Sequence, residues 1–285
     1  MKVYHFPEAP ASTVGTYAML MTDLLEAPVV HTGEWQSMDT AASPVHATHE
    51  IEDVSLVWDR IPRDLDQIIP AIDYPWVIDH FRERVSGQPL NPAPSHLSWP
   101  YAVRSNADHT DAGVFDHTYP ERFWPQHAGH DHEFEDVEQN TGQICGGTPG
   151  IRFHYGDLND VVDLLLRKPL TRQAFLPVWF PEDTGAVDGQ RVPCTLGYHF
   201  MQRGGRLSCR YYIRSCDAYR HLSNDVWLAA RLTKWIANEV SERTKGQPVG
   251  LHFRPGGLIM HISSLHSFVG DNAKIKHRLA GVLDG

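Results

Sequence analysis

Residues 191–237 read RVPCTLGYHFMQRGGRLSCRYYIRSCDAYRHLSNDVWLAARLTKWIA, and the order of signals inside this stretch decides the fold. Arg203-Gly204-Gly205 is a glycine-rich turn between two runs with strand character, Cys194–Gln202 and Arg206–Arg214, so the segment predicts a β-hairpin. In the second run Leu207, Cys209, Tyr211 and Ile213 fall on one face, while Ser208, Arg210, Tyr212 and Arg214 fall on the other. A helix is predicted next over Asp225–Glu242, capped by Ser223 or Asn224, with Gly246 beyond its end. Val226, Ala229, Leu232, Ile236 and Val240 recur at helical spacing and give that helix its buried stripe.

Outward from this core the pattern stays mixed. Helical character is expected around Thr16–Glu26, over Tyr74–Gly87 and over Asp157–Arg167, where Val161, Leu164 and Leu165 share a face. Strands are expected at Ala174–Phe180 and at about Leu258–Ser264. Residues 88–100 form a proline-studded loop, and residues 103–150 are polar, rich in Asp, His, Glu and Gly, and read as a surface excursion. Strands and helices alternate without a βαβ rhythm, which predicts an α+β fold, one domain over residues 1–285 built on a large mixed sheet.

The bulk properties narrow the function. Hydrophobic residues make up 41% of the 285-residue chain and charged residues 21%, ordinary values for a globular protein. A net charge of −10 argues against a general nucleic-acid binder, whose affinity comes from neutralising phosphates. A local arginine cluster still suffices for one phosphate group. No segment reads as a signal peptide or a membrane span, and four cysteines without a signal peptide predict reduced thiols in a cytoplasm. His127, His130, His132, Glu133, Glu135 and Asp136 fit no standard metal-ligand spacing, so no metal site is expected.

Cys194 is the candidate for chemistry. Val-Pro precedes it, at the start of a strand, and Arg214 ends the partner strand; a guanidinium beside a thiol favours the nucleophilic thiolate. Three blocks then resemble the thymidylate synthase family in the same order. These are Thr171-Arg172-Gln173; Pro193-Cys194 with Leu207-Ser208-Cys209 and Arg214-Ser215-Cys216-Asp217; and Gly256–Phe268, whose His261-Ile262-Ser263-Ser264-Leu265-His266 is similar to that family's His-x-Tyr-Ser-Asn-His.

The resemblance implies a thymidylate synthase-like fold dimerising through its sheet, a pyrimidine nucleoside monophosphate as substrate, and 5,10-methylenetetrahydrofolate as cofactor. It implies that Cys194 attacks C6 of the base, that Arg214 and Ser215 hold the phosphate, and that Arg172 reaches the phosphate across a homodimer interface. It assigns His261 to the sugar, Asp217 and Trp99 to the folate, and Tyr155 of His-Tyr-Gly to the active site. Asp79 is the candidate for a carboxylate that relays protons through water to the base, with Glu83 as its rival.

Three departures from that family refine the expectation. Its base-reading Asn aligns with Asp225, and a carboxylate accepts a hydrogen bond from the amino group of cytosine where a carboxamide suits uracil. This exchange resembles the deoxycytidylate hydroxymethylases. The sugar-contacting Tyr is replaced by Ser263, which leaves ribose against deoxyribose open. Only 19 residues follow His266, fewer than the family's closing tail requires, which favours water reaching the C5 carbon. The second Arg of the family's Arg-Arg pair is Gln173, for which Arg152, Arg191 or an N-terminal residue must compensate. The expected activity is 5-hydroxymethylation of CMP or dCMP. The alternatives are C5 methylation of dUMP or a cytidylate, and a catalytically silent nucleotide binder.

Overall fold

The computed structural model of the chain describes residues 1–31, 34–35, 38–39, 44–101, 114–125, 156–185, 191–247 and 250–284. The strands are β1 (Lys2–His5), β2 (Val29–Val30), β3 (Glu34–Trp35), β4 (Met38–Asp39), β5 (Thr48–Trp58), β6 (Phe175–Pro177), β7 (Thr195–Arg203), β8 (Arg206–Asp217) and β9 (Arg254–Phe268). The helices are α1 (Pro10–Leu25), α2 (Trp76–Arg84), α3 (Tyr119–Phe123), α4 (Leu158–Arg167), α5 (Leu222–Arg243) and α6 (Asn272–Asp284).

The hairpin forms as expected. Gly204 and Gly205 both take positive φ, 55° and 74°, the combination that a two-residue turn matching strand twist requires. Strand β8 then continues to Asp217, three residues past the predicted end, because β9 runs parallel beside it as far as the Asp217–His266 pair. The sheet order is β1-β5-β9-β8-β7-β6, with β2 also paired to β5. β1–β5 and β8–β9 are parallel and the other pairs antiparallel, so the sheet is mixed.

One irregularity in this sheet organises everything near it. Core-facing residues on β8 are Leu207, Cys209, Tyr211 and Ile213, then Cys216; on β9 they are Leu258, Met260 and Ile262, then Leu265; on β5 they are Ile51, then Val54, Leu56 and Trp58. The two-residue alternation of a strand therefore slips by one in all three, at neighbouring positions, for Ser264 pairs with both Ser215 and Glu52. Asp53 on β5 carries the slip at φ 52°, the left-handed region that Asp tolerates better than most non-glycine residues.

Helix α5 packs on β8 and β9, and α1 packs on β5, β9 and α6. Its predicted stripe is buried: Val226, Ala229, Ile236 and Val240 are fully covered and Leu232 nearly so. Helix α5 begins three residues earlier than expected, with His221 at the N-cap and no side-chain cap. Ser223 and Asn224 therefore lie in the first turn, and Asn224 exchanges hydrogen bonds with Asp73 instead of capping. On the sheet's other face Tyr212, Ile259 and His261 are half-buried and Ser263 is exposed.

Residues 114–125 depart from the expected surface excursion. Thr118 and Glu121 form a reciprocal capping box that starts α3, and Phe123 and Trp124 are buried, the latter donating from Nε1 to the Arg84 carbonyl at 2.9 Å. The polar composition around this short segment hides its aromatic run. No helix among the described residues is long and apolar enough to cross a membrane.

The slip at Asp53 makes a direct prediction. Asp53→Val places a β-branched residue in the left-handed region and should destabilise the fold by about 1–3 kcal/mol, whereas Asp53→Gly should be neutral or better. Urea unfolding of the three proteins checks this; equal midpoints for Val and Asp would contradict the assignment.

Candidate active site

The slip turns the end of β8 so that its residues serve two neighbours. Arg214 donates from its backbone N–H to the Cys194 carbonyl at 2.9 Å, from Nε to the Pro193 carbonyl at 3.0 Å, and from a terminal nitrogen to the Val192 carbonyl at 3.2 Å. The guanidinium thus holds the backbone leading into Cys194. One step on, the Cys216 thiol donates to an Asp225 carboxylate oxygen at 3.9 Å. Cys194 itself is exposed, whereas Cys209 and Cys216 are buried.

Exposure of Cys194 does not mean a fully hydrated thiol. Burial of the sulfur on its protein side pushes the thiol up from its ordinary pKa, Arg214 and Arg191 pull it down, Asp225 pushes it up, and the net direction is upward. Arg214 acts in the direction expected, toward the thiolate, but does not outweigh burial. The arginine spends three hydrogen bonds on backbone carbonyls and counters only part of the burial cost.

Asp225 points inward from the first turn of α5. Burial raises its carboxyl from the usual range to about 7; Arg84 and the Cys216 hydrogen bond lower it without cancelling the desolvation. Tyr119 feels both Asp225 and Cys194, while Tyr198 and Tyr211 feel Asp225. Around them runs a hydroxyl chain, with Tyr119 Oη to Thr195 Oγ1 at 2.8 Å and Thr195 Oγ1 to Tyr211 Oη at 2.8 Å. Cys194, Tyr119, Asp225 and Arg84 therefore share one electrostatic neighbourhood.

Other expected residues land elsewhere. Asp79 is about half exposed (51%) and pairs with Arg82 at 2.9 Å, so it stands on the outer side of α2. Glu83, the rival, is the carboxylate turned inward: its side chain is 11% exposed, and it accepts from Ser95 Oγ and from the Ser95 backbone N–H. His261 bonds Ser55 at 3.0 Å and stacks on Tyr212, on the sheet face away from Tyr211, and Ser263 is exposed along the same row. Beside Ser215 the strand instead presents His266, whose Nδ1 lies 3.4 Å from Ser215 Oγ. His266 and Phe268 repeat the His-x-aromatic spacing five residues later than the sequence reading put it, a shift that strict strand alternation conceals.

Asp217 does not present a free carboxylate. It accepts from Arg220 at 2.6 Å and from the Tyr219 and Arg220 backbone N–H groups, and Arg220 also bonds Asp271. Trp99 belongs to an aromatic shelf: it stacks on His221 at 5.1 Å, tilts against Trp76 at 6.4 Å and meets Tyr101 edge-on at 5.9 Å. The buried Trp99 Nε1 has no hydrogen-bond partner within the protein. Arg172 is exposed, its backbone carbonyl accepting from His199 at 2.9 Å. Tyr155 lies outside the described residues, as do Arg152 and the histidine-rich run 127–136. Among the described residues, no group of three His, Cys, Asp or Glu is arranged to hold a metal ion.

The family model for thymidylate synthase matches residues 117–250. This segment is thus similar to the thymidylate synthase family, whose members transfer one-carbon units to C5 of pyrimidine nucleotides. Within the matched residues fall Tyr119, Arg172, Cys194, Arg214, Ser215, Asp217 and Asp225; α2, with Arg84 and Glu83, and β9, with His266, lie outside them. Arg84 and Tyr119 were missing from the sequence reading, and His266 was part of the third block but carried no role. The Thr118-x-x-Glu121 capping box is the one local signal that points to Tyr119.

The raised pKa of Asp225 has a consequence for stability. The unfolded chain ionises this carboxyl at an ordinary pKa, so the folded state bears the cost of its charge in full above pH 7 and sheds it as pH falls toward about 4. Asp225→Asn should therefore raise the Tm of the unliganded protein at pH 8 and lose that advantage progressively as the pH falls to about 4. A pH-independent difference, or a lower Tm at pH 8, would contradict the burial of this charge.

Proposed function

We propose that the protein is a 5-hydroxymethyltransferase acting on a cytidine monophosphate, CMP or dCMP. The observation that carries this reading is the carboxylate of Asp225 facing the same neighbourhood as the Cys194 thiol. A carboxylate accepts from the exocyclic amine of cytosine, whereas against O4 of uracil it sets acceptor against acceptor at a cost of roughly 1–3 kcal/mol.

In this reading Cys194 adds as thiolate to C6 of the base, and the electron pair displaced from the C5–C6 double bond makes C5 nucleophilic. Bound 5,10-methylenetetrahydrofolate supplies the one-carbon unit, and the Trp76–Trp99–His221 shelf, with its unpartnered Trp99 Nε1, is the surface suited to hold it. The thiol is protonated in the unliganded protein, so it must lose its proton as the nucleotide binds. Arg214, already clamped to residues 192–193, offers positive charge to both the forming thiolate and the phosphate. Ser215 and Arg191 lie beside it in sequence or in space, and exposed Arg172 is the residue for a cross-subunit phosphate contact in a homodimer. The partly buried row formed by Tyr212, Ile259 and His261 supports pairing of two copies through the sheet.

Asp217, which the resemblance assigns to the folate, is also tied down within the protein. Held by Arg220, it orders the turn before α5 and so fixes where Asp225 begins.

Incubating the purified protein with CMP, dCMP or dUMP and 5,10-methylenetetrahydrofolate tests the reading by product mass. A hydroxymethylated cytidylate is expected; a methylated product or a reaction confined to dUMP would overturn it. Cys194→Ser should abolish release of tritium from C5 of labelled substrate, and persistence of that release would remove the covalent mechanism.

A further inference from the structure

Arg84 is a buried cation without a carboxylate of its own. It is 3% exposed, and its guanidinium carbon lies 3.8 Å from the centre of the Tyr119 ring. Its Nε and one terminal nitrogen donate to His80 Nε2 at 3.1 and 2.9 Å, and the other terminal nitrogen reaches Tyr198 Oη at 3.4 Å. Accepting these donors leaves His80 with its proton on Nδ1, which lies 3.0 Å from Ser95 Oγ, and Ser95 in turn donates to Glu83. The result is a directed chain, Arg84 to His80 to Ser95 to Glu83, with its positive end against Tyr119 and Tyr198 and its negative end at Ser95. His80 stays neutral within it, since burial and Arg84 both lower its pKa.

Helix α2, which carries Arg84, packs on α5, which carries Asp225. No hydrogen bond or ion pair joins the two groups, yet each shifts the other's ionisation. Facing Asp225 from the surrounding elements are Arg84 of α2, Tyr119 of α3, Tyr198 of β7, Tyr211 and Cys216 of β8, and Cys194 before β7. Burial raises the phenols and thiols of that set, so they remain neutral near pH 7 and Arg84 is the one charged member.

We propose that Arg84 is a positioning residue for base selection: anchored through His80 and Ser95 to Glu83, it holds Asp225 as the carboxylate that distinguishes cytosine from uracil. This rests on the reading of Asp225 given above. It predicts opposite effects from the two ends of the chain. Removing the Arg84 charge leaves Asp225 protonated to higher pH. Removing the Glu83 charge leaves Arg84 less neutralised and ionises Asp225 at lower pH. General damage to the site does not produce shifts of opposite sign.

The test is calorimetric binding of CMP and UMP, without folate, from about pH 5.5 to about pH 8.5, reported as the ratio of the two affinities so that the nucleotide phosphate titration cancels. In the unaltered protein the ratio rises through about pH 7. In Arg84→Met the rise should move up by about one pH unit, making the ratio roughly tenfold smaller at pH 6 and similar above pH 8. In Glu83→Gln it should move down, and in Arg84→Lys, which keeps the charge, it should stay nearer the unaltered profile. Asp225→Asn should flatten the profile and remove the effect of Arg84→Met. If Asp225→Asn leaves the ratio and its rise unchanged, the base-reading role of Asp225 fails, and this inference with it. If Asp225→Asn flattens the profile but Arg84→Met overlays the unaltered curve, or weakens both nucleotides equally at every pH, only the role of Arg84 is overturned. Should Arg84→Met not fold, Glu83→Gln decides: a downward shift supports the chain, and no shift refutes it.

Discussion

Three adjacent strands lose their alternation at one level, and the site exists because they do. Without the slip, Arg214 and Cys216 would both project from the face of Tyr212, and the end of β8 would continue the plain sheet. With it, Arg214 wraps the chain ahead of Cys194 while Cys216 meets Asp225 from the other side. A slip confined to one strand would break its ladder; shared among β5, β8 and β9, it keeps the pairing in register through Ser215, Ser264 and Glu52. The left-handed conformation of Asp53 is the local cost of that arrangement.

The electrostatics follow from the geometry. Two groups that chemistry needs in charged form, the thiol and the carboxyl, both sit where burial disfavours charge. Arg214 acts on the first and Arg84 on the second, and neither fully offsets desolvation in the unliganded protein. Such a site is balanced near neutrality, so a bound ligand that brings its own charge or hydrogen-bond donors moves both protons with a modest free energy. That balance sets the limit on how far Arg214 favours the Cys194 thiolate before a ligand binds.

Much of the fold was legible because its signals are local. The Gly204-Gly205 turn, the stripe on α5 and the alternation of Leu207 to Ile213 are all properties of short windows, and each is realised. The choice of Cys194, Arg214 and Asp225 came from their order along one stretch, which the structure brings together. What was not legible depends on contacts between distant segments. The role of His261 came from the resemblance of residues 261–266 to a family motif, whereas in the fold it is His266 that lies beside Ser215. Asp79 and Glu83 differ by one turn of α2, and only the packing of Ser95 and His80 shows which of them turns inward. Tyr119 was hidden in a polar stretch, and Arg84 reads in sequence as an ordinary charge at a helix end.

The account comes down to whether sulfur and carboxylate meet one cytosine ring. A crystal structure of the protein with CMP or dCMP bound measures this most directly. The Cys194 sulfur is predicted to lie against C6, with an Asp225 oxygen about 3 Å from the exocyclic amine. A ring held with that amine toward solvent, or a sulfur directed away from C6, would contradict it.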